Sequence, residues 1–126
     1  MNVVDTSGWI EALLDAPNAE FFKPVIRHTS ELIVPTISIF EVYRIVLRTR
    51  GKDFADEAVG AMTTGQVIEL DAELATSAAT LAHSEKLAMA DAIILATARR
   101  FDATIYTQDA DLKRFETVKF REKRKS

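Results

Sequence analysis

Short β-branched runs alternate with longer helical patterns along the chain, and this alternation narrows the available folds more than any other feature. NVV (2–4), ELIVP (31–35), QVIEL (66–70), ATIYT (103–107) and TVKF (117–120) read as strands. Between them, SGWIEALLDA sets Trp9, Ala12, Leu13 and Ala16 three or four apart, the spacing of a helix face. AEFFKPVIRH reads as a second helix, with Asn18 as its cap and Pro24 placed to interrupt it. SIFEVYRIVLRTRG is amphipathic and stops at Gly51, and a further helix lies near DFADEAVGAM. Asp71 is placed to cap AELATSAATLAHSEKLA, and MADAIILATARRF forms the last helix. Strands separated by helices of this length need crossover connections, which give a parallel sheet covered on both faces. The expected class is therefore α/β, in a single domain over residues 1–126 with a basic C-terminal tail at about 119–126.

The absence of cysteine excludes disulfides, thiolate metal sites and cysteine nucleophiles, so any metal must be held by oxygen or histidine. It also agrees with a reducing, cytoplasmic setting. No apolar run approaches the roughly 18 residues of a membrane span, and Met1–Val4 is too short for a targeting leader, so the mature chain is expected to start here. The net charge of −3 is unevenly spread. From Lys113 onward seven basic residues stand against Glu116 and Glu122, a net of +5, which leaves −8 on the rest. Such a tail can reach a polyanion, and the acidic body concentrates cations. For the final REKRKS alone, a frayed, solubilising terminus is the plainer expectation.

In open parallel sheets, ligands gather beyond the carboxyl ends of the strands. Asp5 follows NVV, and Asp109 and Asp111 follow ATIYT in the same way. Glu41 and Asp91 lie near the starts of helices that can face the same edge. Clustered carboxylates repel one another unless a cation compensates, and an all-oxygen set suits Mg²⁺ or Mn²⁺ rather than zinc. Such a metal can activate water and stabilise phosphoryl charge, the chemistry of a metal-dependent nuclease. Each acid also has a purely structural role open to it. Ser38-Ile-Phe-Glu41 is a good capping box, Asp91 can oppose a helix dipole, Asp109 and Asp111 can serve in a turn, and Asp5 can cap the helix through Thr6-Ser7-Gly8. The apolar neighbours of Asp91 favour function there.

Taken together, VVDTS, TISIFEV, MADAIILATA and IYTQDADL resemble in order and spacing the PIN-domain ribonucleases, most closely the short single-domain toxins of the VapC type. The resemblance covers essentially the whole chain and implies a three-layer α/β/α sandwich around a parallel β-sheet. It implies Mg²⁺- or Mn²⁺-dependent hydrolysis of single-stranded or looped RNA by a metal-activated water, leaving 5′-phosphate and 3′-hydroxyl ends. Carried over by position, the catalytic and metal-holding acids are Asp5, Glu41, Asp91 and Asp109, the last from the T-x-D motif. Thr107 supports the cluster, and Thr6 or Ser7 buttresses Asp5. Leu112 stands where the family often has an aromatic residue, which leaves Asp111 as an alternative to Asp109 for the metal-facing acid. The resemblance also implies a VapB-like antitoxin that puts a basic segment into the acidic site, and a homodimer.

Arg44 and Arg48, four apart on the helix that carries Glu41, are the candidate RNA-phosphate contacts, extended by Arg50 and Lys52. Phe21, Phe22, Val25, Ile26, Phe40, Val46 and Leu47 supply core and interface in proportions that sequence does not divide. Nothing marks a protein nucleophile, because Ser7 has no histidine partner nearby and His28 and His83 lie in helical stretches as surface or structural residues. Two other readings remain. A non-catalytic PIN-like interaction module would lack metal affinity, and a receiver-type phosphoacceptor would need an acidic pair and a lysine after a late strand, where IYTQDADL has none.

Overall fold

A computed structural model describes residues 1–125. Five strands, β1 (Asn2–Val4), β2 (Leu32–Pro35), β3 (Gln66–Ile68), β4 (Thr104–Thr107) and β5 (Val118–Phe120), form one sheet in the order β3-β2-β1-β4-β5. Every pairing is parallel. The helices are α1 (Thr6–Leu13), α2 (Ala19–Arg27), α3 (Thr36–Arg50), α4 (Lys52–Met62), α5 (Ala72–Glu85) and α6 (Met89–Arg100). None of them is long and apolar enough to cross a membrane.

The period-two geometry of the strands sorts the core into two halves. Val3, Ile33 and Ile105 point to the face covered by α5 and α6, where they meet Leu74, Ala78 and the buried run Ala92–Ala98. Val4, Leu32 and Val34 point to the other face, against Trp9, Phe22, Val42, Val46, Ala58 and Met62 of α1 to α4. The result is a three-layer α/β/α sandwich. Burial on both sides explains why the strands read as continuous apolar runs rather than as alternating ones.

α1 packs close to the sheet at Gly8, where a Cβ would come within 2.7 Å of the Val4 side chain and 2.6 Å of the Phe22 ring. Only glycine fits there, and the tight fit sets the start of α1 directly over the end of β1. α3 ends as expected at Gly51, whose φ of 87° any side chain would strain. Asp71 caps α5, accepting from the Leu74 amide at 2.7 Å.

Three local expectations fail for physical reasons. Pro24 does not interrupt α2, which runs through it to Arg27. Asn18 precedes α2 but makes no side-chain cap, since its Oδ1 accepts from Arg124 Nε instead. α3 begins two residues ahead of Ser38, directly after Pro35, so Ser38 lies inside the helix, buried and without a hydrogen-bond partner among the described residues. The Ser38–Glu41 capping box therefore does not form, and Glu41 is left to face outward from α3. Of the seven apolar residues that sequence left undivided, Phe22, Val25 and Val46 are core, Phe21 and Ile26 are half-buried, and Phe40 and Leu47 are exposed on α3.

Candidate active site

The chain leaves β1 toward β2 and β3 on one side, and later returns to place β4 on the other side of β1. This reversal opens a crevice at the carboxyl ends of β1 and β4, the position where open α/β sheets take their ligands. A cavity of about 500 Å³ occupies it, walled by Asp5, Glu11, Glu41, Asp91, Asp109, Asp111 and Lys123 among others. All four sequence-predicted acids thus line one cavity, together with Thr6, Ser7 and Asp111. Thr107 stands behind the wall, fully buried.

Asp5 is 3% exposed and is fixed on three sides. Thr107 Oγ1 donates to its Oδ2 at 2.5 Å, the Gly8 amide donates to Oδ1 at 2.9 Å, and Ser7 Oγ reaches both oxygens at 3.1 Å. The Gly8 bond makes Asp5 the N-cap of α1 as well, so one carboxylate ends a strand, starts a helix and faces the cavity. Burial pushes its pKa up to about 6 in spite of these donors. Ser7 therefore buttresses Asp5, whereas Thr6 turns away and donates to Glu41 Oε1 at 2.5 Å.

Asp91, Asp109 and Asp111 each offer a carboxylate oxygen, and those oxygens lie within 4.8 Å of one another. Asp91 sits in the first turn of α6. Its pKa is raised to about 7, first by burial, then by the charge of Asp109 and a hydrogen bond shared with it, and further by Asp5 and Asp111. Asp109 is held by its surroundings at two points: its amide donates to Thr107 Oγ1 at 2.8 Å, and its Oδ1 accepts from the Asp111 amide at 2.9 Å in a short 3₁₀ turn over Ala110–Leu112. The turn role and the cavity role thus coexist in Asp109. Asp109 and Asp111 both belong to this group of three.

Arg44 and Arg48 are exposed on α3 and do not line the cavity; the Arg44 guanidinium lies 5.9 Å from the centre of the Phe40 ring. His28 and His83 are exposed.

Sequence reasoning missed a buried polar group behind the acids. Glu11 accepts from Gln108 Nε2 at 3.0 Å and from the Asn18 amide at 2.8 Å, and Asn18 Nδ2 donates to Gln108 Oε1 at 3.0 Å. Glu11 lies four residues after Ser7, on the same helix face, and Gln108 is the middle residue of the T-x-D motif; both spacings pointed here. Asn18 also bonds Glu122 and Arg124 of the C-terminal segment, whose residues 121–125 are otherwise exposed and without secondary structure. Ser126 lies outside the described residues.

An oxygen-only donor set with mutually repelling carboxylates fits a hard divalent cation. The model of the PIN domain family matches residues 3–118. No curated protein gives a significant match. Among solved structures, the chain is similar to a toxin–antitoxin complex from Klebsiella pneumoniae (21% identity, 94% of this chain and 95% of that one, TM-score 0.78). It is likewise similar to the sarcin–ricin loop cleaving toxin VapC20 of Mycobacterium tuberculosis (21% identity, 88% and 92% covered, TM-score 0.72). A third similar structure is VapBC2 of Rickettsia felis bound to a promoter DNA fragment (14% identity, 96% and 97% covered, TM-score 0.73).

Proposed function

The chain belongs to the PIN-domain family, and on that premise we propose that it is a metal-dependent endoribonuclease, the toxin of a toxin–antitoxin pair. The observation that carries this reading is the meeting of Asp91, Asp109 and Asp111 within 4.8 Å, in a cavity that also presents Asp5 and Glu41. Asp91, Asp109 and Asp111 are the nearest set for Mg²⁺ or Mn²⁺, with Asp5 and Glu41 as the outer acids. A bound cation there supplies water activation and neutralises phosphate oxygens.

The protein's own groups set the geometry. Thr107 orients Asp5 through one oxygen and Asp109 through its amide, so a single hydroxyl links two acids from strands β1 and β4. Thr6 orients Glu41 toward the same space from α1. Asp5, Glu41, Asp91 and Asp109 are catalytic in our reading; Asp111 supports them as a further carboxylate beside the cation, and Ser7, Thr6 and Thr107 support them by hydrogen bonds. Arg44 and Arg48, outside the cavity wall, contact phosphates more distant from the cut.

Two of these similar structures are toxin–antitoxin or VapBC complexes, which supports a VapB-like antitoxin partner. The exposed Phe40 and Leu47 on α3 and Met89 on α6 offer apolar surface for that partner and for a homodimer. We place the protein in the cytoplasm, where its RNA would be.

The test is cleavage of a mixed cellular RNA pool by purified protein with Mg²⁺ or Mn²⁺, against chelator. Asp5→Asn and Asp91→Asn are each expected to abolish cleavage in protein that circular dichroism shows to be folded. Undiminished cleavage by both variants overturns the site.

A further inference from the structure

We propose that Lys123 is a phosphate-positioning residue of the acid cavity, presented by a C-terminal segment that buried Asn18 straps down. The proposal rests on the ribonuclease reading and names a residue that reading does not use. Among the described residues, Lys123 is the one cation in a wall that carries six carboxylates. Among the described residues it forms no ion pair with any of them. An ammonium group beside so much negative charge, yet paired with none of it, is free to meet an incoming anion.

Its position is fixed by its neighbours on both sides. Asn18, 1% exposed, donates from Nδ2 to the Glu122 carbonyl at 2.9 Å and accepts at Oδ1 from Arg124 Nε at 3.0 Å. The same Nδ2 donates to Gln108, which lies between Thr107 and Asp109. One buried amide therefore ties the segment bearing Lys123 to the segment bearing the acids. With both flanks held, less backbone freedom is lost when Lys123 takes up a ligand.

A polynucleotide entering this cavity meets carboxylates that repel it. Lys123 supplies the opposing charge at the wall, and a lysine's three rotatable donors accept a phosphate from several directions. The ligand class is the backbone phosphate of single-stranded RNA next to the bond that is cut.

The experiment is equilibrium binding of a short, fluorescently labelled single-stranded RNA of mixed sequence, followed by anisotropy across a salt series with Ca²⁺ in place of Mg²⁺. Lys123→Gln is expected to weaken binding by about tenfold and to flatten the slope of log affinity against log salt by about 0.7, the loss of one phosphate contact on a single strand. Lys123→Arg is expected to retain affinity and slope, a rescue that a merely structural role would not give. Equal affinity and slope for the unsubstituted and Lys123→Gln proteins overturn the role of Lys123. Failure of the unsubstituted protein to bind the RNA overturns the nuclease reading beneath it.

Discussion

Asp91 shows how an acid can be held ready by its neighbours. Burial and the adjacent Asp109 raise its pKa to about 7, well above the ordinary 3.8. The native state therefore binds a proton more tightly than the unfolded chain does. The penalty of ionised Asp91 is fully present above about pH 7, and it fades as pH falls from there toward 3.8. Asp5, raised to about 6, acts in the same sense. Metal-free protein is thus expected to melt at a lower temperature at pH 8 than at pH 5. Asp91→Asn, which cannot ionise, should raise the melting temperature at pH 8 and raise it by clearly less at pH 5, where only part of the penalty remains. Scanning calorimetry in chelator at both values checks this, and an equal effect at the two pH values would show that charge is not the cause.

Helix α3 carries the clearest disagreement between sequence and structure. Its Ser38-x-x-Glu41 pattern satisfies the capping-box rule, but Pro35 lets the helix start earlier, at Thr36, and the pattern falls inside it. Ser38→Ala separates the two possibilities. With Ser38 Oγ buried and unpaired, the change is expected to stabilise the fold by about 1 kcal/mol, whereas loss of a true cap would destabilise it by a similar amount; urea denaturation gives the sign. Strands, helix order and the sheet's parallel sense were legible because they depend on local periodicity and on connection length. The acids of the cavity were legible because each sits one or a few residues beyond a strand or helix boundary. Asn18 and Lys123 were not, because their meaning lies in contacts across as many as 106 positions, as between Arg124 and Asn18, and no periodicity records such a contact.

At the level of the whole protein, repulsion among the cavity acids is a stability reserve that a cation can release. Saturating Mn²⁺, at about a hundred times its dissociation constant, is expected to add about 2.7 kcal/mol to unfolding free energy. Asp109→Asn should lose most of that gain, which a thermal shift series with and without Mn²⁺ measures; identical shifts in both proteins would remove Asp109 from the ligand set. The bond from Thr107 to Asp5 spans 102 positions of the chain and joins the first strand to the fourth. On a ribosome, where chain emerges from its amino end, Asp5 is therefore made early and waits. Strand β1 keeps one edge open until β4 arrives, and only then do Thr107, Asp109 and Asp111 come beside Asp5. Assembly of the acids is in effect timed by translation: a nascent chain carries Asp5 long before it carries a site, and a polypeptide that stops short of β4 is one in which the acids never meet.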